Sequence, residues 1–357
     1  MIIFGSPRRY IQGPDAIGRL GEEIARIGKS ALLLADAHVG ELVGATAEGS
    51  CRTAGVSLAR EVFGGEITHD EIGRIAGAWA GKNIDVVVAA GGGKTIDTGK
   101  AVAHKLGARA ITVPTVASND SPTSHIAVVY DAAHKLVGVE KFSGNPELVL
   151  VDTAIIAKAP AILLSAGIAD ALVKKFEVGQ CVGQNGNNMF GGKSPRTALA
   201  LAEACYDILR ADAVAALAAV ARGTPDAALE RVVEACVLMS GLAFESGGLS
   251  ISHAMTRGLS AVKGPAEALH GPQVAYGLLV QLQLEGRDAA FMADMRSFYR
   301  QTGLPCSLAA LNFVGNDGDL ATIAELTNAA PHMKHFTRPL TTAEIVEAMR
   351  AVEEDAQ

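Results

Sequence analysis

The sequence predicts an α/β N-terminal domain built on a parallel sheet, residues 1–158, followed by an all-α C-terminal domain, residues 159–357. Three observations predict it. Short apolar runs alternate with helical patterns over roughly the first 150 residues, the signature of a parallel sheet covered by helices. One of those runs ends in three consecutive glycines that open a helix. From about Ala159 onward the β-branched signal fades, and Ala, Leu, Glu and Met take over at helical spacing.

The elements follow in order. Ala31 to Ala35, Asp85 to Ala90, Ala110 to Val113 and Leu148 to Val151 read as buried strands. Between the first two, Thr68-x-x-Glu71 has the form of a capping box, and Ile72, Ile75 and Trp79 follow on one helical face, which predicts a crossover helix. Ile126 to Tyr130 and Lys135 to Val139, joined by Asp131-Ala132-Ala133-His134, read as an antiparallel hairpin set into this domain. In the second domain Ser194-Pro195 and Thr224-Pro225 each place an N-cap residue before a proline at the first helical position. Thr341-x-x-Glu344 is another capping box, followed by Ile345, Val346 and Met349. No internal repeat, low-complexity tract or long polar linker is visible, so the domains are expected to join tightly, with the active site in the cleft between them.

Composition narrows the function. Hydrophobic residues make up 49% of the 357 and charged residues 19%, yet no run approaches the roughly 20 apolar residues of a spanning helix. Met1-Ile2-Ile3 leads into charge and does not resemble a signal peptide, so a cytoplasmic protein without membrane contact is expected. The net charge is -7 and Lys and Arg are dispersed, which excludes the basic stripe that nucleic-acid binding needs. Small molecules are the expected partners. The five cysteines are scattered and form no C-x-x-C pair, against both a disulfide framework and a thiolate zinc site. Cys205 and Cys236 lie in Ala-rich helical patterns and read as small buried hydrophobes.

Asp85-Val-Val-Val-Ala-Ala-Gly91-Gly92-Gly93-Lys94-Thr95-Ile-Asp97 runs strand, glycine turn, helix. That order points backbone N–H groups and the positive end of a helix dipole at one spot, and glycines there let a pyrophosphate approach the chain. A tight turn alone would need no such run of three. The motif is neither G-x-G-x-x-G nor a Walker loop, since the lysine follows the third glycine at once. Asp36 ends the strand Ala31 to Ala35, where a carboxylate can bind an adenosine ribose and repel a 2'-phosphate, predicting NAD over NADP in a Rossmann-like domain. Aspartate at a strand end is also a common turn former.

Of the nine histidines, His38, His69, His104, His134, His332 and His335 lie in polar or loop contexts and read as solvated or satisfied; His125, beside a polar loop, is ambiguous. His253 and His270 lie in apolar, close-packed helical surroundings. Asp170, in Ala166-Gly-Ile-Ala-Asp170-Ala-Leu-Val, is a charge in a small apolar run and is costly to bury unless paired or metal-bound. Two imidazoles and one carboxylate leave a coordination position open, the pattern of a catalytic zinc site, and iron(II) accepts the same ligands. Either histidine taken alone is also compatible with a core role.

The strings GGGKTIDTGKAVA, PTVASNDSPTSHIAVVY, NPELVLVDTAIIAKAPA, GIADAL, LALAEACYDIL, FESGGLSISHA and HGPQVAYG cover nearly the whole chain in order. Their sequence resembles the glycerol dehydrogenases of the iron-type, metal-dependent alcohol dehydrogenase family. The resemblance implies metal ligation by Asp170, His253 and His270. It implies NAD contacts at Asp36, Gly93, Lys94, Thr95, Asp97, Thr115, Ser118, Ser124, Ile126 and Tyr130, beside Gly92 of the glycine turn. It implies that Asp120 binds the hydroxyl groups of a small polyol next to His253, and that the protein is a zinc-using cytoplasmic homo-oligomer, commonly an octamer.

The chain departs from the family pattern at Thr256 and Arg257, where a histidine and an asparagine usually follow the first metal histidine, and at Pro272-Gln273, where Glu-Lys is usual. A guanidinium near the metal could pair with a carboxylate, so a 2-hydroxy acid or 2-oxo acid is the rival substrate; a helix-capping or bridging role for Arg257 is the plainer alternative. A dehydroquinate-synthase-like lyase would need basic residues for a phosphorylated substrate, and few lie near the expected ligands. A non-enzymatic NAD sensor would keep the glycine loop but not the triad.

Overall fold

The computed structural model describes residues 1–132 and 134–355; Ala133 of the hairpin connection and residues 356 and 357 lie outside the described residues. The chain divides into two compact units that are not contiguous in sequence. The α/β unit comprises 5–160 and 219–241, and the helical unit comprises 1–4, 161–218 and 242 onward.

In the α/β unit eight strands occur in chain order: β1 (Tyr10–Gly13), β2 (Ser30–Ala35), β3 (Ser57–Val62), β4 (Val86–Gly91), β5 (Arg109–Pro114), β6 (Ile126–Tyr130), β7 (Leu136–Lys141) and β8 (Leu148–Asp152). Six of them form one all-parallel sheet in the order β1-β8-β5-β4-β2-β3, with Leu33 opposite Val88 and Val88 opposite Ile111. The four expected strands are its interior. Both edges, β1 and β3, went unpredicted, because a strand covered on one side only carries polar residues such as Gln12, Arg60 and Glu61 and lacks the continuous apolar run of a central strand. The hairpin forms as expected: β6 and β7 pair antiparallel, with an irregularity between Val129 and Tyr130.

The helices of this unit's 5–160 segment are α1 (Leu20–Ala25), α2 (Ala37–Thr53), α3 (His69–Trp79), α4 (Gly93–Leu106) and α5 (Thr153–Ile156). Alternate strand residues face opposite sides, so two cores form. Leu33, Val88 and Ile111 pack with Val43 and Ala47 of α2, while Leu34 and Val87 pack with Ile72 and Ile75 of α3, Val102 of α4 and Val129 of β6. The Thr68 hydroxyl caps α3 by accepting the Glu71 N–H at 3.1 Å. The reciprocal half of the expected box is missing, because the Glu71 carboxylate is taken by the Gly64 N–H and by Arg74.

The helices after residue 160 are α6 (Ala161–Leu172), α7 (Lys174–Gly183), α8 (Arg196–Arg222), α9 (Ala227–Glu234), α10 (Ser240–Gly247), α11 (Ile251–Leu259), α12 (His270–Leu284), α13 (Ala289–Thr302), α14 (Asp317–Asn328) and α15 (Thr342–Glu354), of which α9 lies in the α/β unit and the others wholly or mainly in the helical unit. The capping box at Thr341 and Glu344 is complete. Two expected caps are corrected. The Ser194 hydroxyl donates to the Gly247 carbonyl at 2.6 Å, and α8 begins at Arg196, two residues beyond it. Asp226, not Thr224, caps α9, since its carboxylate accepts the N–H groups of both Ala228 and Leu229 at 3.0 Å. The expected division at 158/159 is also interrupted. Residues 219–241 belong to the α/β unit, where Gln12 donates to the Glu230 carbonyl at 2.8 Å and Thr153 to the Glu230 carboxylate at 2.5 Å. Met1–Phe4 belong to the helical unit, through a 2.7 Å hydrogen bond from Asn188 to the Ile3 carbonyl. Among the described residues no helix is long and apolar enough to cross a membrane.

Candidate active site

Asp170 lies near the end of α6, whose last nine residues are all buried, and its own carboxylate is almost wholly enclosed. Ala166 shares its face one turn earlier. Gly271, the second residue of α12, comes so close to α6 that a Cβ there would stand 2.0 Å from the Ala166 carbonyl oxygen. The absent side chain is what lets the neighbouring His270 reach Asp170, its Nε2 3.9 Å from Oδ1. His253, in the first turn of α11, places Nε2 3.2 Å from the same oxygen. One ligand atom from each of Asp170, His253 and His270 lies within 4.8 Å of the others. Residues 83 and 17 positions apart in the chain thus converge on one point.

The donor set suits a divalent cation: one carboxylate oxygen and two imidazole nitrogens, three ligands where such ions take four or more. A further feature fits the same use. The Nδ1 of His253 lies 2.5 Å from Glu177 Oε2, fixing the ring so that Nε2 faces Asp170, the carboxylate–histidine arrangement that supports metal ligands. Glu177, from α7, also accepts the N–H groups of Ser250 and His253 at 2.9 Å each through Oε1. It therefore caps the N-terminus of α11 from another helix, a position without a side-chain cap of its own.

The charges of the site are strongly coupled. Burial pushes the Asp170 carboxyl up, but Lys174, His253 and His270 outweigh it and hold the group well below the usual carboxylate range. Burial opposes charge on His253, as does Lys174, yet Glu177 and Asp170 on either side of its ring raise its pKa to about 9. Desolvation, reinforced by His253 and Lys174, lowers that of His270 even though its side chain is 48% exposed, so its nitrogen lone pair is available.

Sequence reasoning missed Lys174 and Glu177. Both follow Asp170 at i+4 and i+7, a charged stripe on one face of the α6–α7 segment, and that spacing in so apolar a stretch was the available signal. Lys174 is fully buried, with Nζ 2.5 Å from Asp170 Oδ1 and 3.3 Å from His253 Nε2. His332, read as solvated or satisfied, is half-buried within electrostatic reach of Glu177 and His253; desolvation is the main cause of a pKa lowered to about 4. Arg257 is exposed, one turn beyond His253 on α11.

In the α/β unit Asp36, Gly92, Gly93 and Thr115 follow the C-terminal ends of β2, β4 and β5, while Ile126 opens β6 and Tyr130 closes it. β3 lies on one side of β2 and β4 on the other, so the strand order reverses there, the place where open parallel sheets bind ligands. Asp36 follows β2 and caps α2, one oxygen accepting the Val39 N–H at 2.9 Å. Gly92 and Gly93 follow β4, and α4 starts without a side-chain cap, leaving its N-terminal amides to an anion. A Cβ on Gly93 would stand 2.7 Å from Asn119 Nδ2, so a side chain there would have to displace the Asn119 amide. Thr115 donates its N–H to the Gly91 carbonyl at 3.1 Å, and Thr95 is buried beneath the turn. Lys94 reaches Glu66 at 2.7 Å.

The Asp97 carboxylate is a strut: it takes the Ser121 hydroxyl at 2.5 Å, the Val128 N–H at 2.9 Å and the buried Lys100 ammonium at 2.8 Å. Lys100, also missed in the sequence, donates to the Ser121 carbonyl at 2.9 Å and the Ser124 hydroxyl at 3.1 Å. Together they tie α4 to the loop carrying Ser118 and Asp120 and to β6, which begins at Ile126 and ends at Tyr130. The Tyr130 ring stacks on His134 at 4.5 Å. Asp120 accepts the Ser240 hydroxyl at 3.3 Å, just after a π-turn at Ala235–Met239.

Residues 7–153 match the family described as iron-containing alcohol dehydrogenase. A glycerol dehydrogenase of Thermotoga maritima is 39% identical over 349 residues, covering 97% of this chain and 95% of that protein. The chain belongs to the iron-containing alcohol dehydrogenase family. A glycolaldehyde reductase of Halobacterium salinarum is 37% identical over 324 residues, 90% of this chain and 89% of that one. The crystal structure of glycerol dehydrogenase from Schizosaccharomyces pombe superposes with a TM-score of 0.95 at 32% identity, covering 99% of this chain and 91% of the other. The protein is therefore an oxidoreductase, an alcohol dehydrogenase with the iron-containing family's parallel sheet and helical C-terminal part.

Proposed function

We propose that the protein is an NAD-dependent, zinc-using dehydrogenase that oxidises glycerol or a related vicinal diol to the hydroxyketone, glycerol giving dihydroxyacetone. The convergence of Asp170, His253 and His270 on one point carries this reading, and the glycerol dehydrogenases among its relatives supply the substrate class. Those three residues would hold the ion, iron(II) being the alternative to zinc. Bound to the protein, a divalent ion supplies Lewis acidity to the substrate oxygen and NAD supplies the hydride acceptor.

The chain's own residues do the rest. Glu177 fixes the His253 ring, and Asp120, steadied by the Ser240 hydroxyl, is suited to orient the second hydroxyl of a diol. The amides of Gly93, Lys94 and Thr95 at the start of α4 would bind the dinucleotide's pyrophosphate. Thr115, Ser118, Ser124, Ile126 and Tyr130 would line its path, with Gly92 giving clearance and Asp97 bracing the loop. The proposal includes a cytoplasmic homo-oligomer, an octamer by resemblance.

Purified protein is expected to contain zinc and to form NADH from glycerol and 1,2-propanediol with higher kcat/KM than from a small 2-hydroxy acid. Reversal of that order assigns the 2-hydroxy acid and removes the diol. Asp36→Ser tests the cofactor. It keeps an oxygen to cap α2 but removes the charge that would repel a 2'-phosphate, so the ratio of kcat/KM for NAD over NADP is expected to fall about tenfold or more. An unchanged ratio would show that Asp36 serves only as a cap.

A further inference from the structure

The triad encloses a positive charge that belongs to the chain itself. Lys174 is fully buried, and its ammonium lies 2.5 Å from Asp170 Oδ1, 2.8 Å from the Asp170 carbonyl and 3.3 Å from His253 Nε2. Two of these atoms are the ones a divalent ion would need. The ammonium therefore stands where a cation held by Asp170 and His253 would stand, and it shares with the His253 ring the neutralisation of the buried Asp170 carboxylate. Resting on the metal reading above, we propose that Lys174 is an internal counter-ion that holds the metal-free site together and must leave Asp170 and His253 before a divalent ion can bind.

The two cations compete for one oxygen and repel each other in a poorly screened interior, so they cannot share the position. Lysine suits the task. Its four-carbon stem can swing the charge away, and a compact ammonium donates to a single carboxylate oxygen without the planar fork that would lock an arginine in place. Two consequences follow. Metal affinity is set lower than the three ligands alone would give, and the metal-free protein keeps most of its stability.

Zinc binding measured by competition with a chromophoric chelator tests both, with no reference to turnover. Lys174→Met keeps the apolar stem without the charge, and Lys174→Gln keeps a donor for Asp170 and guards against failure of the first variant to fold. Both are expected to bind zinc about tenfold tighter or more than the wild type, while Lys174→Arg does not. Chelation is expected to lower the Tm of the two neutral variants by about 5 °C or more and that of the wild type by much less. If wild type binds one zinc that His270→Ala fails to bind, and the neutral variants bind no tighter, Lys174 is not a competitor and this inference fails alone. Weaker binding by the neutral variants would likewise overturn it, by making the lysine a supporting group. If neither wild type nor variants bind zinc, the metal reading fails and this inference with it.

Discussion

His270→Ala is expected to abolish metal-dependent turnover, lowering kcat with a diol by about a thousandfold or more while the protein stays folded. The two halves of that expectation have separate grounds. The imidazole stands at the first residue of α12 with 48% of its side chain exposed, its Nε2 3.9 Å from Asp170 Oδ1 and its ring 5.4 Å from that of His253, so truncation removes little packing. Gly271, not His270, makes the close contact with α6, and it is untouched by the change. What is lost is one of three ligands. Asp170 and His253 would remain, a pair too few to hold an ion tightly against Lys174 and solvent. Metal content by elemental analysis, NADH formation from a diol and a thermal melt together decide it. Full turnover in the variant after exhaustive chelation would remove the triad from the chemistry.

The interior of the fold was legible because burial on both faces of a parallel sheet leaves a mark in the chain. Ala31 to Ala35 and Asp85 to Ala90 are apolar without interruption, and each is a strand. Edge strands leave no such mark, which is why Tyr10–Gly13 and Ser57–Val62 went unseen. Caps were readable where the capping side chain had no stronger rival. Glu344 serves Thr341 through Oε2 and leaves Oε1 to Arg338, whereas the Glu71 carboxylate is taken by the Gly64 N–H and by Arg74. The membership of residues 219–241 in the α/β unit depends on the tie between Glu230 and Gln12, 218 positions apart, which no local pattern announces.

The site divides along the same line. Asp170 stood out because a carboxylate in a small apolar run requires a partner, and the partners proposed for it, His253 and His270, are the ones that converge on it. Lys174 and Glu177, one and two turns further on, carry the same signal, since each is a charge in an apolar stretch that needs a partner. Asp97 shows the opposite limit. Its place after the glycine turn suggests a cofactor contact, yet its carboxylate is engaged by Ser121, Val128 and Lys100, and in the fold it braces the loop.

Glu177 is where the second large effect is expected. It is fully buried and makes three hydrogen bonds, two to the first turn of α11 and one to the His253 ring. Burial raises its pKa, but the adjacent His253 and its hydrogen bonds more than compensate and leave the group below the usual range, so it is ionised. Glu177→Ala strands the Ser250 and His253 N–H groups and the imidazole Nδ1 in the interior, and a loss of about 3–5 kcal/mol of stability is expected. Glu177→Gln separates positioning from folding. Its carbonyl oxygen can keep both backbone N–H groups, but its amide NH2 then faces Nδ1 of His253, which favours the tautomer protonated on Nε2. That proton points at Asp170 and occupies the lone pair a metal would need. The glutamine variant is therefore expected to melt close to the wild type while zinc affinity falls by about 10- to 100-fold, with kcat falling alongside. Wild-type zinc affinity in a folded Glu177→Gln protein would show that the His253 ring is set by other contacts, and the role of Glu177 would reduce to capping α11.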